Sequence, residues 1–410
     1  MVLFILAFLL SASPASAAMT CDVKSVSTPG QFVECVADAY NPQVADIDGA
    51  LSTSDPLSRY QWSLRMALEG VPYDDLFADA PRDVKVAVID IYAGHQGHPD
   101  LVGVYEPGIN TIEGGTNTNP PVWDGKPGTN STSHGQCAAS LIAAEHNGIG
   151  MAGMFHRARI IPVRASPGTL AAAINAARFQ GAEVIHIAGV SLMTLDDVDK
   201  IEYAWPDVPW SGLSVPLHPM YQNPTVARAM VERFKAIDDA INDATEAGVI
   251  ISAPLANWNG RTATLYWASN KNVLTTGAVN ALGEVSPFNA SIYGTVLLAG
   301  GGERRDTSLT VPVPNSVMPA DGPTSNFDDV LCAIGPDKYS FASGGSFAAP
   351  QGAAAAAIIK SYLPDAKAYD VMRLLKATLQ PLPRENLHLM NSVGGMLSLK
   401  RLREAIAAEM

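Results

Sequence analysis

"VKVAVID", residues 84–90, is apolar at every position except Lys85 and the terminal Asp90. Its apolar residues do not alternate with polar ones, so neither face of a strand built from them can meet water, and the run is too short for a buried helix. It reads as a strand covered on both sides and ending in a carboxylate. Four more segments share that character: "RIIPVRA" (159–165), "AEVIHIAG" (182–189), "GVIISAPLAN" (248–257) and "NVLTTGAVN" (272–280). Between them lie helical stretches, "GQCAASLIAAEH" (135–146), "GTLAAAINAARFQG" (168–181) and "ARAMVERFKAIDDAINDATEAG" (227–248), the last two closed by a glycine stop. Buried strands alternating with helices imply an α/β fold, a doubly wound and mostly parallel sheet with helices on both faces. Reactive groups in such sheets gather past the carboxyl ends of strands and at helix N-termini. Asp90 and Asn257 fall at strand ends, and His134 and Ser346 each open an Ala-rich helix.

The 410 residues, 47% of them hydrophobic, can fill a sizeable core. A net charge of −13 without long single-sign runs argues against a nucleic-acid surface, which needs clustered Lys and Arg to meet phosphates. The first residues, "MVLFILAFLLSASPASAA", pair a short apolar stretch with the small-x-small pattern Ala15-Ser16-Ala17. Residues 1–17 are therefore expected to be an export signal and the mature chain to be secreted or periplasmic, without a membrane span. Residues 18–54 read as an N-terminal extension or short propeptide, and 55–410 as the working domain, expected to act as a monomer. Segments 190–224 and 300–330, rich in Pro, Gly, Asp and Ser, read as surface insertions. Four cysteines, at 21, 35, 137 and 332, have neither metal-ligand spacing nor a CxxC motif. Cys21 with Cys35 is the expected pair, and Cys137, three residues past His134, is expected to be a buried inert thiol.

"SFASGGSFAAPQGAAAAAIIKSYLP" (340–364) sets Ser346 among residues without bulk at the head of a helix. Alone, such a serine is more often a helix cap than a nucleophile, His134 could cap or lie at the surface, Asp90 could serve an N-cap or an ion pair, and Asn257, with Asn259 two residues on, could simply serve a turn. A serine hydroxyl becomes a nucleophile only with a base in reach, a carboxylate to orient that base, and donors for the oxyanion. All four roles have candidates at the expected sheet edge: Ser346 to attack, His134 to take the proton, Asp90 to hold the imidazole, and Asn257 to donate. The Ser346 N–H, at a helix start, would be a second oxyanion donor. Small neighbours then let a substrate backbone approach. The other histidines, 95, 98, 146, 156, 186 and 218, have no partner pattern and read as turn, packing or surface residues.

In order and wording these segments resemble the subtilisin-like serine peptidases, the subtilases. "VKVAVIDIYAGHQGHPDL" is similar to their aspartate motif, "SHGQCAASLIAAEHNGIGMAG" to the histidine motif, "GVIISAPLANWNG" to the oxyanion-asparagine strand and "ASGGSFAAPQGAAAA" to the serine motif. The chain order Asp, His, Ser is also that of subtilisin. "SDPLSRYQWSLRMA" (54–67) and "GGMLSLKRLREAI" extend the likeness over about residues 54–410. The chain departs from the family pattern at Ile91-Tyr92, in one extra residue before His98-Pro99, at Gln136 and Cys137 after His134-Gly135, and at Gly345 before the serine.

The resemblance implies an exported serine endopeptidase acting on peptide or protein substrates through an acyl-enzyme. It implies a structural calcium held by Asp100, the Asn147 side chain and the carbonyls of Glu145, Ile149 and Met151, with Asp55 as a further ligand. It also places the wall of the pocket for the residue before the scissile bond at Ala188, Gly189 and Val190 and at Pro254, Leu255 and Ala256, with Leu265 at the floor. Walls bulkier than the family's suggest a shallow pocket for small side chains. Two other readings compete: a catalytically silent subtilase fold that binds peptides or partner proteins, motivated by the departures, and an α/β-hydrolase esterase. The second needs Gly-x-Ser-x-Gly, where this chain has Ala348 at the last position.

Overall fold

The computed structural model describes residues 55–120, 133–189, 224–255, 257, 270–281, 283–286, 288–289, 297–302, 310–312, 329–382 and 395–410. Its centre is a seven-stranded sheet: β1 (Val84–Asp90), β2 (Ile109–Asn110), β3 (Ala158–Arg164), β4 (Val184–Ile187), β5 (Ile250–Pro254), β6 (Val273–Val279) and β7 (Leu297–Gly300), in the order β2-β3-β1-β4-β5-β6-β7. Every neighbouring pair is parallel. In β1 the side chains on both faces are buried, those of Val84, Val86 and Val88 in one layer of the core and those of Ala87 and Ile89 in the other. This is why the sequence shows a nearly continuous apolar run, broken only by Lys85, rather than alternation.

Helices cover the two faces. On one lie α3 (His134–Ala143) and α6 (Gly345–Tyr362), with α1 (Trp62–Leu68), α2 (Tyr73–Phe77), α7 (Ala368–Ala377) and α8 (Leu399–Glu409) packed around them. On the other lie α4 (Leu170–Phe179) and α5 (Pro224–Glu246), which bury Leu170, Ala173, Ile174 and Ala177 and Phe234, Ile237, Ala240, Ile241 and Ala244 against the sheet and each other. That spacing of three and four is the apolar stripe of a helix lying on a sheet. The doubly wound α/β fold is thus what the structure holds. α6 is buried almost all round, its five alanines 353–357 fully so, because it runs through the centre of the molecule over β5 and β6. No helix among the described residues is long and apolar enough to cross a membrane.

The structure also holds elements the sequence reading did not anticipate. A three-stranded antiparallel sheet, β8 (Thr310–Pro312), β10 (Lys338–Ala342) and β9 (Val330–Ile334), stands beside α3. Part of the 300–330 segment therefore belongs to a sheet, since Thr310 to Pro312 pair with β10 and Val330 begins β9. Cys137 is not a free thiol: it is joined to Cys332 of β9 in a buried disulfide closing 195 residues of chain. Cys21 and Cys35 lie outside the described residues, as do the expected signal and extension and most of the 190–224 segment.

Candidate active site

β1 delivers Asp90 to the carboxyl edge of the sheet, and α3 begins directly above it with His134 as its first residue. The chain can come this close because residue 135 is glycine: a Cβ there would stand 2.5 Å from the Tyr92 carbonyl and 2.7 Å from Asp90 Cβ. Asp90 is 1% exposed; its Oδ1 accepts the Ile91 N–H at 2.6 Å, and its Oδ2 lies 2.6 Å from His134 Nδ1. The carboxylate therefore needs a proton on Nδ1 and fixes the tautomer that leaves Nε2 a base. Burial disfavours a charged His134, but the Asp90 charge and hydrogen bond outweigh it, and the imidazole pKa is raised above its usual 6.5. His186 in β4 is fully buried, and burial, then the neighbouring His134 charge, push its pKa down to about 3. It stays neutral, so β4 adds no second cation near His134.

Ser346 is the second residue of α6 and half-buried. Its N–H precedes the first intrahelical donor, so that hydrogen is free of the helix ladder. The next residue, Phe347, brings its ring to 5.3 Å from the His134 ring, which places the head of α6 against the head of α3. Among the described residues the Ser346 hydroxyl has no hydrogen-bond partner. Asn257, three residues beyond β5, accepts the Gly345 N–H on Oδ1 at 2.8 Å, and its Nδ2 hydrogens have no partner among the described residues. Gly344 turns the chain into α6 at φ 142°, a conformation that favours glycine. The structure thus gathers Asp90, His134, Asn257 and Ser346 at one edge, with Asp90 and His134 in direct contact.

The expected pocket residues divide. Gly189 lies against the Asp90 carboxylate: a Cβ there would meet Oδ1 at 2.5 Å and Oδ2 at 2.7 Å. Ala188 is 6% exposed. Pro254 is buried at the end of β5, and Leu255, 1% exposed, points into the core, where a Cβ on Gly277 would meet its Cδ1 at 2.8 Å. The bulk of Leu255 thus fills the core and not a pocket wall. Val190, Ala256 and Leu265 lie outside the described residues.

Asp55 and Asp100 are 2% and 0% exposed. Asp55 Oδ1 accepts the N–H groups of Asn147 and Gly148, and Asp100 Oδ2 accepts the Met151 N–H and the Tyr339 hydroxyl. Asp55 Oδ2 and Asp100 Oδ1 are buried with no partner among the described residues. Burial raises both pKa values, that of Asp100 to about 7, with the charges of Asp55 and Glu145 adding to the latter.

The profile of the Subtilase family matches residues 81–395, more than half of the chain and all four candidate residues. The chain belongs to the subtilase family. A thermophilic serine proteinase of Bacillus sp. (strain AK1) is 27% identical to this subtilase over 286 residues, 68% of this chain and 52% of that protein. The chain thus matches about half the length of that relative. Among solved structures, the epidermin leader peptide processing serine protease of Staphylococcus aureus superposes with a TM-score of 0.62 at 17% identity, covering 88% of this chain and 83% of that one. A lanthipeptide protease gives 0.60 at 20% identity, covering 88% and 98%, and a Pseudoalteromonas arctica protease gives 0.57 at 21%, covering 87% and 99%. At these identities the structural likeness concerns the fold.

Proposed function

We propose that this subtilase is an exported serine endopeptidase that cleaves peptide bonds through an acyl-enzyme. The observation that carries the reading is the buried 2.6 Å contact between Asp90 Oδ2 and His134 Nδ1 at the same sheet edge as the head of α6. Ser346 Oγ attacks the scissile carbonyl as His134 Nε2 takes the hydroxyl proton; the developing oxyanion is met by the Asn257 Nδ2 hydrogens and the Ser346 N–H. Collapse breaks the C–N bond, and the imidazolium returns its proton to the departing amine. Water, deprotonated by the same imidazole, then releases the acid. The match to a protein named as a serine proteinase supports the same chemistry.

The orphaned oxygens of Asp55 and Asp100 fit a calcium ion, which takes six to eight oxygen ligands. Asp100, Asp55, the Asn147 side chain and the carbonyls of Glu145, Ile149 and Met151 would hold it. Among the described residues none of those three carbonyls accepts a backbone hydrogen bond. No group of three His, Cys, Asp or Glu side chains able to hold a metal occurs there either, so carbonyls would have to complete the shell. Bound calcium would neutralise the two buried carboxylates and fasten the 145–151 loop to the body of the domain. The exported chain would act as a monomer on peptide or protein substrates.

The test is hydrolysis of casein and of a peptide library by the mature protein and by Ser346→Ala. Internal cleavage that disappears in the variant is expected. A folded chain with no hydrolysis, or hydrolysis that survives the substitution, would overturn the reading.

A further inference from the structure

Three links join α3, which carries His134, to the hairpin β9–β10, which feeds the chain into Ser346. Cys137 is disulfide-bonded to Cys332 of β9. Ser140 Oγ donates to the Cys137 carbonyl at 2.8 Å and accepts the Ala333 N–H at 3.0 Å. Gln136 Nε2 donates to the Gly335 carbonyl at 2.6 Å, in the turn between the two strands. Residues 136, 137, 140 and 332 are all fully buried. β10 pairs with β9 along its whole length, Ser340 opposite Cys332, and ends at Ala342, four residues before Ser346. The three links thus run beside the His134 end of α3 on one side and into the serine segment on the other.

We propose that the Cys137–Cys332 disulfide, with Gln136 and Ser140 beside it, is a positioning device that holds His134 in register with Ser346 and Asp90. The inference rests on the peptidase reading of the site. A crosslink needed only for stability could join any two distant segments, and a 195-residue loop gains most of its entropic benefit wherever it is closed. This one starts three residues from the base, on the turn of helix that sets its direction. It also accounts for two of the residues that depart from the family pattern: Gln136 and Cys137 face the hairpin and not the substrate. With the links cut, α3 is held at that end by packing and by the His134–Asp90 contact itself. The 2.6 Å contact from Asp90 to His134 then lengthens on average, and the charge and hydrogen bond that support the imidazolium weaken while burial still opposes it.

The test compares wild type with Cys137→Ala/Cys332→Ala and with the milder Ser140→Ala, each well below its own unfolding temperature. Three quantities are read: kcat against KM on a peptide, the acidic limb of the pH–rate profile, and the His134 pKa by imidazole NMR. The expected result is a fall in kcat of about 10- to 100-fold for the double variant, the scale of an ångström misplacement. KM should change no more than about threefold, and the acidic limb and the His134 pKa should move down together. Ser140→Ala should show the same pattern at smaller size, and it decides the matter if the double variant does not fold. Lowered melting temperature with wild-type kcat, pH limb and His134 pKa would overturn the proposal. Should the wild type itself fail to cleave or to label, the peptidase reading falls, and the NMR pKa comparison still decides whether the crosslink positions the imidazole.

Discussion

Gly189→Ala puts a methyl group where the structure has room only for hydrogen. The added Cβ would lie 2.5 Å from Asp90 Oδ1 and 2.7 Å from Oδ2, whereas carbon and oxygen settle at about 3.3 Å, so a gap of about 0.8 Å must open. Residue 189 follows β4, and Asp90 ends the neighbouring β1 in the interior of the sheet. The carboxylate is the more easily moved of the two, by rotation away from His134, because the flanking strands hold the backbone. Its Oδ2 contact to His134 Nδ1 is 2.6 Å, so a shift of that size stretches it to about 3.4 Å, past the usual hydrogen-bond range. Loss of orientation by an ångström costs about a hundredfold, and kcat should fall by about 10- to 100-fold. The assay is steady-state hydrolysis of a chromogenic peptide, with circular dichroism to show that the variant is folded. KM separates this effect from a changed pocket wall: a rise in KM with kcat intact would mean that Gly189 matters only for binding. Wild-type kcat in a folded variant would refute the reasoning.

Asp90→Asn removes the charge that raises the His134 pKa and leaves burial, which lowers it. The base must be neutral, so wild-type activity should rise with pH through a value above 6.5. In the variant that limb should move below it while kcat falls on the order of 10,000-fold, which a pH–rate profile measures. The Cys137→Ala/Cys332→Ala double variant should also lose stability; chain-entropy arithmetic for 195 residues gives at most about 5 kcal/mol, read by denaturant unfolding. A calcium chelator should lower the melting temperature of the wild type. Asp100→Asn, which removes one buried charge, should blunt that response in a calorimetric scan.

The sheet was legible because each of its long strands is buried on both faces, so the apolar runs at 84–90, 159–165 and 272–280 fall within a residue of β1, β3 and β6. β2 is two residues long and β8 three, too short for any period to show, and both went unread. The gathering of Asp90, His134, Asn257 and Ser346 at one sheet edge was legible because all four fall at strand ends and helix starts, which a parallel sheet brings to the same side. The contacts of Gly135 and Gly189 with Asp90 could not be read, since they depend on how closely α3 and the end of β4 approach β1 in space. Nor could the disulfide: four cysteines allow three pairings, and nothing in a spacing of 195 residues favours Cys137 with Cys332. The expected inert thiol gives way to a crosslink because α3 lies directly on β9, a neighbourhood created by an unread hairpin. Leu255 likewise looked like a pocket wall until β6 showed its side chain filling the core beside Gly277.

The central claim, that the Ser346 hydroxyl is activated by His134 and Asp90, is tested most directly by treating folded mature protein with a fluorophosphonate and mapping the adduct by peptide mass spectrometry. The account predicts one phosphonyl group per chain, on Ser346, formed faster as pH rises through the His134 pKa and absent in His134→Ala. A folded sample that takes up no label, or carries it on another residue, would contradict it.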